Sequence, residues 1–207
     1  MQIGIIGAGH IGGTLAALFV RAGHDVVLSN SRGPESLKAL VAELGDHVTA
    51  GTSEEAARAG EVVVVSIPFG RFRDLPADDL EAKIVVDTGN YYPQRDGHFE
   101  ELDDDRTTSS ELLQAHLHAR VVKAFNAMNW VALRDESKPA GDPERLGIPI
   151  SADDMEAKHV VSQLIDDIGF DPVDAGMLGE GGRRHQPGAA VFAVALPTRD
   201  LRKLLAG

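Results

Sequence analysis

The first thirty-two residues confine this chain more than any other stretch. Gln2-Ile3-Gly4-Ile5-Ile6 predicts a short buried strand, and Gly7-Ala8-Gly9-His10-Ile11-Gly12 follows as a full G-x-G-x-x-G. An apolar helical run from Thr14 to Val20 stops at Gly23, and a second strand, Asp25 to Ser29, leads into Asn30-Ser31-Arg32. Strand, glycine turn, helix and strand in that order is the context in which such a turn cradles a dinucleotide rather than simply reversing the chain. The first glycine permits the tight turn, the second lets backbone approach a pyrophosphate, and the third lets helix and strand pack closely. The helix N-terminus then offers free N–H groups to the phosphates. His10 contributes its backbone N–H, and its imidazole has no assigned chemical task.

The end of the second strand carries a further choice. A chain that uses NAD places Asp or Glu there to hold the ribose 2′-hydroxyl. Here the stretch reads Ser29-Asn30-Ser31-Arg32, without an acid. A carboxylate would repel a 2′-phosphate, whereas two hydroxyls, an amide and a guanidinium can bind one. Gly7, Ala8, Gly9, His10, Ile11 and Gly12 are therefore expected around a pyrophosphate, and Asn30, Ser31 and Arg32 around the 2′-phosphate of NADP(H). The competing reading of Arg32 is a solvated loop arginine.

At 207 residues the chain fits one domain, or one with a small appendage. Acids outnumber bases 32 to 20, a formal charge of −12, which argues against nucleic acid or an anionic membrane as partner. No cysteine is present, so disulfides and thiolate metal sites are excluded. The first strand begins at residue 2 and no apolar run approaches a membrane span, so a cytoplasmic protein is expected.

Further along, strand and helix signals alternate, which predicts a Rossmann-type, doubly wound α/β fold with a mainly parallel sheet and a small C-terminal α/β extension. Strands are expected at 48–50, 61–66, 83–87, 120–126, 148–151 and 170–174. Thr52-Ser53-Glu54-Glu55 and Thr108-Ser109-Ser110-Glu111 have the spacing of capping boxes. Residues 90–106 read as an irregular acidic loop. Asp103-Asp104-Asp105 is read as solvated rather than metal-binding, and no metal site is expected. His116 and His118 are placed on the surface. A linker-like segment from Ser137 to Gly147 divides an NADP-binding domain, 1–137, from a region, 147–207, that packs on the same sheet and completes an acceptor cleft. A helix is expected over 153–168, loop over 176–182, an apolar stretch over 189–196 and a short basic helix at the end.

In such sheets ligands cross the carboxyl ends of the strands where strand order reverses. Ser66, Ile67 and Pro68 are then expected to rim the adenosine ribose, while Asn90 and the pair Ala124 and Asn126 approach the nicotinamide. Each has a structural alternative, and for Asn126 the two readings are balanced. No Tyr-x-x-x-Lys pair is present, and Lys123, which could serve as an acid or base, reads rather as a structural ion pair because it lies inside a strand. Any hydride transfer would rest on positioning two rings in a dry cleft.

Ile3 to Gly12, Ser29 to Leu37, Val121-Val122-Lys123-Ala124-Phe125-Asn126, Asp174-Ala175-Gly176 and Gln186-Pro187-Gly188 together resemble the NADPH-dependent coenzyme F420 reductases and related NADP-binding oxidoreductases. The cytosolic domain of the six-transmembrane metalloreductases is similar at greater distance. The resemblance implies hydride exchange between NADP(H) and a deazaflavin or flavin as second ring cofactor, and a homodimer whose partner molecule is a small redox acceptor. It implies Ala8 to Ile11 at the pyrophosphate, Ser31 and Arg32 at the 2′-phosphate, Ser66 to Pro68 along the cofactor, and Asn126 beside the rings. Arg183, Arg184 and His185 then read either as a basic loop in solvent or as binders of an anionic acceptor tail. Reduction of a small molecule or of ferric iron, and NADP(H) sensing without turnover, are the alternative functions.

Overall fold

A computed structural model describes residues 1–206. Among the described residues eight strands form one sheet: β1 (Gln2–Ile6), β2 (Asp25–Ser29), β3 (Val48–Gly51), β4 (Val62–Val65), β5 (Ile84–Asp87), β6 (Arg120–Lys123), β7 (Gly147–Ala152) and β8 (Asp171–Gly176). Their spatial order is β3-β2-β1-β4-β5-β6-β7-β8. All neighbours pair in parallel except β6 and β7, which are antiparallel. The chain thus runs outward from β1 in both directions, and the switch point lies between β1 and β4. The C-terminal strands continue the same sheet, with Pro172 accommodated on the edge strand β8.

Why the sheet is covered on both faces is written in β4. Val62 and Val64 point into one core with Ile3, Ile5, Leu15, Phe19 and Leu28, while Val63 and Val65 point into the other with Ala56, Leu80 and Leu117. All four are essentially buried, each stabilising the fold by about 1.5–3 kcal/mol. Strands with apolar residues on both sides need helices on both sides. One face is covered by α1 (His10–Arg21), α2 (Lys38–Leu44) and, much later in the chain, the helix over Met155–Asp167. The other is covered by α3 (Ser53–Ala59) and α4 (Ala77–Leu80).

Both capping boxes form: Thr52 and Glu55 at α3, Thr108 and Glu111 at the helix over Ser109–Leu117, with reciprocal side-chain-to-backbone bonds. The 90–106 stretch is more ordered than its composition predicts. It holds two single-turn helices, α5 (Pro93–Asp96) and α6 (Glu100–Asp103), followed by α7 (Ser109–Leu117). The ordering comes from Tyr91, whose hydroxyl donates to Asp103 Oδ1 at 2.6 Å while its ring meets Phe69 and Phe99. Asp103 also bonds His98, so it is engaged rather than simply solvated. His116 is half-buried with its ring edge-on to Phe72, a correction to its surface placement; His118 is exposed.

The remaining helices are α8 (Trp130–Asp135), α9 (Met155–Asp167), α10 (Leu178–Arg183) and α11 (Thr198–Ala206). α10 overturns the expected loop at 176–182. Its glycines are selected by proximity rather than by turn geometry: a Cβ on Gly181 would meet Ser151 Oγ at 2.6 Å and Ala175 O at 2.8 Å. The apolar stretch after it is irregular and partly turned inward, Val191 and Leu196 packing on Val173 and Leu201 and Val194 staying exposed. Among the described residues no helix is long and apolar enough to cross a membrane.

Candidate functional site

At the switch point a cleft of about 380 Å³ opens over the carboxyl ends of β1, β2 and β4. Its floor is the glycine turn. Gly7 takes φ +109°, a conformation that suits glycine. A Cβ on Gly12 would lie 1.8 Å from Gly7 O, so only glycine lets α1 start this close to the turn. A Cβ on Gly9 would meet nothing within 4 Å: the second glycine faces open space, where a pyrophosphate would need room. α1 begins at once, with no side chain capping it and no acid in its first turn, so its N–H groups face the cleft uncontested. These observations fit a dinucleotide.

Gly7, Ala8, Gly9, Asn30, Ser31, Arg32, Ser66, Ile67 and Pro68 all line this cleft. The four residues ending β2 divide their tasks, however. Ser29 is buried and its hydroxyl donates to Ile5 O at 3.1 Å, which removes it from any ligand. The Asn30 amide is also engaged: Nδ2 donates to Ser36 Oγ and Oδ1 accepts from the Arg32 backbone N–H, both at 2.9 Å. Asn30 therefore shapes the loop, and Ser31 and Arg32 remain exposed. His10 and Ile11 lie at the start of α1, and the His10 ring stacks on Trp130 with centroids 4.5 Å apart. No periodicity joins those two residues, which are 120 positions apart.

The sequence reading missed Arg71, Asp74 and Ser53, which also line the cleft. Arg71 and Asp74 sit on a 3₁₀ segment, Phe69–Asp74, directly after β4. The available signal was a period of three, Pro68-x-x-Arg71-x-x-Asp74, on one side of a turn whose Phe69 and Phe72 are buried on another.

At the ends of β5, β6 and β7 the arrangement is closed. Asp87, Lys123, Asn126, Ser151 and His185 are all buried, and they are bonded to one another or to backbone. Ser110 Oγ donates to Asp87 Oδ2 at 2.7 Å. Lys123 Nζ donates to Ser110 Oγ at 2.9 Å and Gly89 O at 3.1 Å, and lies 3.7 Å from Asp87 Oδ2. Burial lowers the Lys123 pKa, opposed by the neighbouring Asp87 carboxylate.

Asn126 Nδ2 donates to Asn90 Oδ1 at 3.0 Å and to His185 O at 2.8 Å. Its Oδ1 is therefore an acceptor and takes the His185 Nδ1 proton at 2.8 Å, which leaves His185 Nε2 to accept from Ser151 Oγ at 2.8 Å. Burial, assisted by the Lys123 charge, pushes the His185 pKa down to about 3, so the ring is neutral. Asn90 Nδ2 closes the set on Asn126 O at 2.9 Å.

This geometry bears on three readings. Asn126 has no free amide proton to offer a ring: it fastens the β6 exit to Asn90 and His185. Ala124 is wholly buried and presents nothing to the cleft. His185 is not part of a basic loop in solvent, Arg183 is paired with Asp105 at 3.3 Å, and Arg184 with Glu180 at 2.9 Å. Phe125, between Ala124 and Asn126, is buried at φ +64°, a strained setting of the sort that surrounding packing must hold in place. The β-bulge between β7 and β8 falls next to Ser151 and aims the strand at His185. Beyond this cluster a second cleft, of about 290 Å³, is lined by Tyr91, Pro93, Asp103, Asp105, Thr107, Gln186 and Pro187, among others.

A parallel sheet with a glycine turn, an uncapped helix start and a cationic β2 exit defines a dinucleotide-binding domain. Comparison with known proteins specifies it. Residues 2–91 match the family of coenzyme F420-dependent NADP oxidoreductases. The fold is shared over 96% of both chains with a hypothetical protein of Sinorhizobium meliloti, at 31% identity and a TM-score of 0.83. An Arthrobacter sp. FB24 protein, provisionally named an F420-dependent NADP reductase, matches over 86% of both chains at 26% identity and a TM-score of 0.72. The metalloreductase STEAP3 of Rattus norvegicus is 33% identical over 179 residues, 86% of this chain and 34% of its own. The chain thus spans about a third of the length of that curated relative. Residues 2–91 thus carry the likeness to the F420-dependent NADP oxidoreductase family, and beyond them the fold follows that of the Sinorhizobium protein.

Proposed function

We propose that this chain transfers hydride between NADP(H) and a second ring acceptor, a deazaflavin of the F420 class first and a flavin next. Gly7 to Gly12 hold the pyrophosphate in this reading, Ser31 and Arg32 the 2′-phosphate, and Ser66, Ile67 and Pro68 the adenosine ribose. Asn90 and Asn126 act through the backbone they fasten.

One observation carries the reading. The titratable groups at the ends of β5 and β6, Asp87 and Lys123, and the imidazole beside them, His185, are buried and bonded to one another or to backbone. Reduction of a carbonyl needs a proton donor beside the acceptor carbon, and these groups do not provide an exposed one. Hydride passing from carbon of one ring to an acceptor atom of another has no such need, because the acceptor ring exchanges its proton with water. Stacking the rings at near-attack distance is then the main service of the protein. The cofactor supplies the hydride chemistry.

Stopped-flow mixing of enzyme and NADPH with F420, FMN or FAD tests this. Loss of the nicotinamide absorbance with at least one ring acceptor is expected, and its absence with all three removes the proposal. The likeness to a metalloreductase supports a second reading, in which ferric iron is the terminal acceptor. Ferric reduction that proceeds without added flavin would favour it.

A further inference from the structure

The cleft that the NADP(H) reading assigns to the adenosine end carries two guanidinium groups, Arg32 from the β2 exit and Arg71 from the β4 exit. It also carries a carboxylate, Asp74. An anion in that position is the group an NADP-binding cleft should lack, since it would repel the 2′-phosphate as the missing β2 acid would. Asp74 is not free, however. Its Oδ2 is held by Arg71 Nε in an ion pair three residues apart.

The local fold makes the pair face the cleft. In a 3₁₀ turn residues three apart lie over one another. Phe69 and Phe72 are both buried, their rings stacked 4.8 Å apart and packed on Phe99, and this pins the segment. Pro68, Arg71 and Asp74 share another side, and all three line the cleft. The Arg71 and Asp74 side chains are 67% and 57% exposed, so the pair is held by the cleft wall and not by burial.

We propose that Arg71 is a second determinant of NADP(H) over NAD(H), and that it works by cancelling Asp74. With the pair intact the wall presents the single net charge of Arg32 to the 2′-phosphate. Without Arg71 the bare carboxylate offsets Arg32, and the phosphorylated cofactor loses its advantage. The inference rests on the adenosine end occupying this cleft, so its test carries a control for that.

Dissociation constants for NADPH and NADH are measured by titration at low ionic strength, where exposed charges are least screened. The proteins are wild type, Arg71→Ala, Asp74→Asn, the double variant and Arg32→Ala, with thermal melts to verify folding. Arg71→Ala is expected to weaken NADPH tenfold or more and NADH by less than twofold. Asp74→Asn is expected to leave NADPH as tight or tighter, and the double variant to return NADPH to within threefold of wild type. Equal effects of Arg71→Ala on both cofactors, or a double variant as weak as Arg71→Ala, overturn the proposal. If Arg32→Ala discriminates between the cofactors while Arg71→Ala does not, only this inference fails. If neither discriminates, the assignment of the cleft fails with it.

Discussion

At the carboxyl ends of β2 and β4 the charged side chains, Arg32, Arg71 and Asp74, stand exposed around an open cleft. At the ends of β5, β6 and β7 the polar side chains Asp87, Lys123, Asn126 and Ser151 turn inward and bond to one another, to backbone or to His185 from the tail. The same sheet edge thus serves two purposes. Exposed, loosely held charges can reorganise around a ligand's phosphate and discriminate by electrostatics. A buried, fully bonded network cannot reorganise without leaving a polar group unpaired, and so it sets geometry. In the proposed function, recognition sits in one half of the site and positioning in the other.

If that division holds, substitutions in the closed half should act on stability and those in the open half on cofactor choice. The largest effect is expected from Lys123→Ala, which strips the cationic partner from buried Asp87 and should cost about 3–5 kcal/mol of folding stability. The ratio of NADPH to NADH affinity should stay unchanged; urea denaturation and cofactor titration measure the two, and a shifted ratio would break the comparison. Next is Arg32→Ala, expected to weaken NADPH by about 1.5–3 kcal/mol, the range for a hydrogen bond to a charged group, with NADH nearly unaffected. A parallel loss for both cofactors would show that Arg32 does not read the phosphate.

The third effect depends on pH. His185 has a folded pKa of about 3 against an ordinary value of 6.5. The unfolded chain therefore binds a proton in that window that the folded chain does not, and stability falls as pH drops from 6.5 toward 3. The contribution is about 1.4 kcal/mol per pH unit. Comparing wild type with His185→Gln by urea denaturation between pH 7 and 5 isolates this part; equal slopes would mean that the imidazole is not held neutral. The smallest effect belongs to the one tryptophan, Trp130, stacked on His10 at the glycine turn. NADPH binding should quench its emission, while His10→Ala should change affinity by less than about 1 kcal/mol, within the range of an aromatic pair. An unchanged emission on saturation would place the cofactor away from the turn.

What was legible in the residue order follows the same division. The glycine turn, the strands that form the sheet and both capping boxes depend on contacts between near neighbours, or on side-chain periodicity along one element. Each announces itself locally. The helix over 178–183 did not, because Gly179 answers to Glu111 and Gly181 to Ser151 across the fold, and glycine alone reads as a break.

The sequence by itself determined that a dinucleotide would meet a β2 exit without an acid, since that is a matter of which charges exist within a few residues of one strand. Only the tertiary structure decided which of those groups remain free. Ser29 and the Asn30 amide are engaged inside the fold, Arg71 and Asp74 arrive from a different strand, and His185 is carried to Asn126 from 59 positions away. The physical reason is that hydrogen-bond capacity is finite. A polar side chain can serve a ligand only with the donors and acceptors that folding leaves unbonded, and that remainder is settled by distant partners.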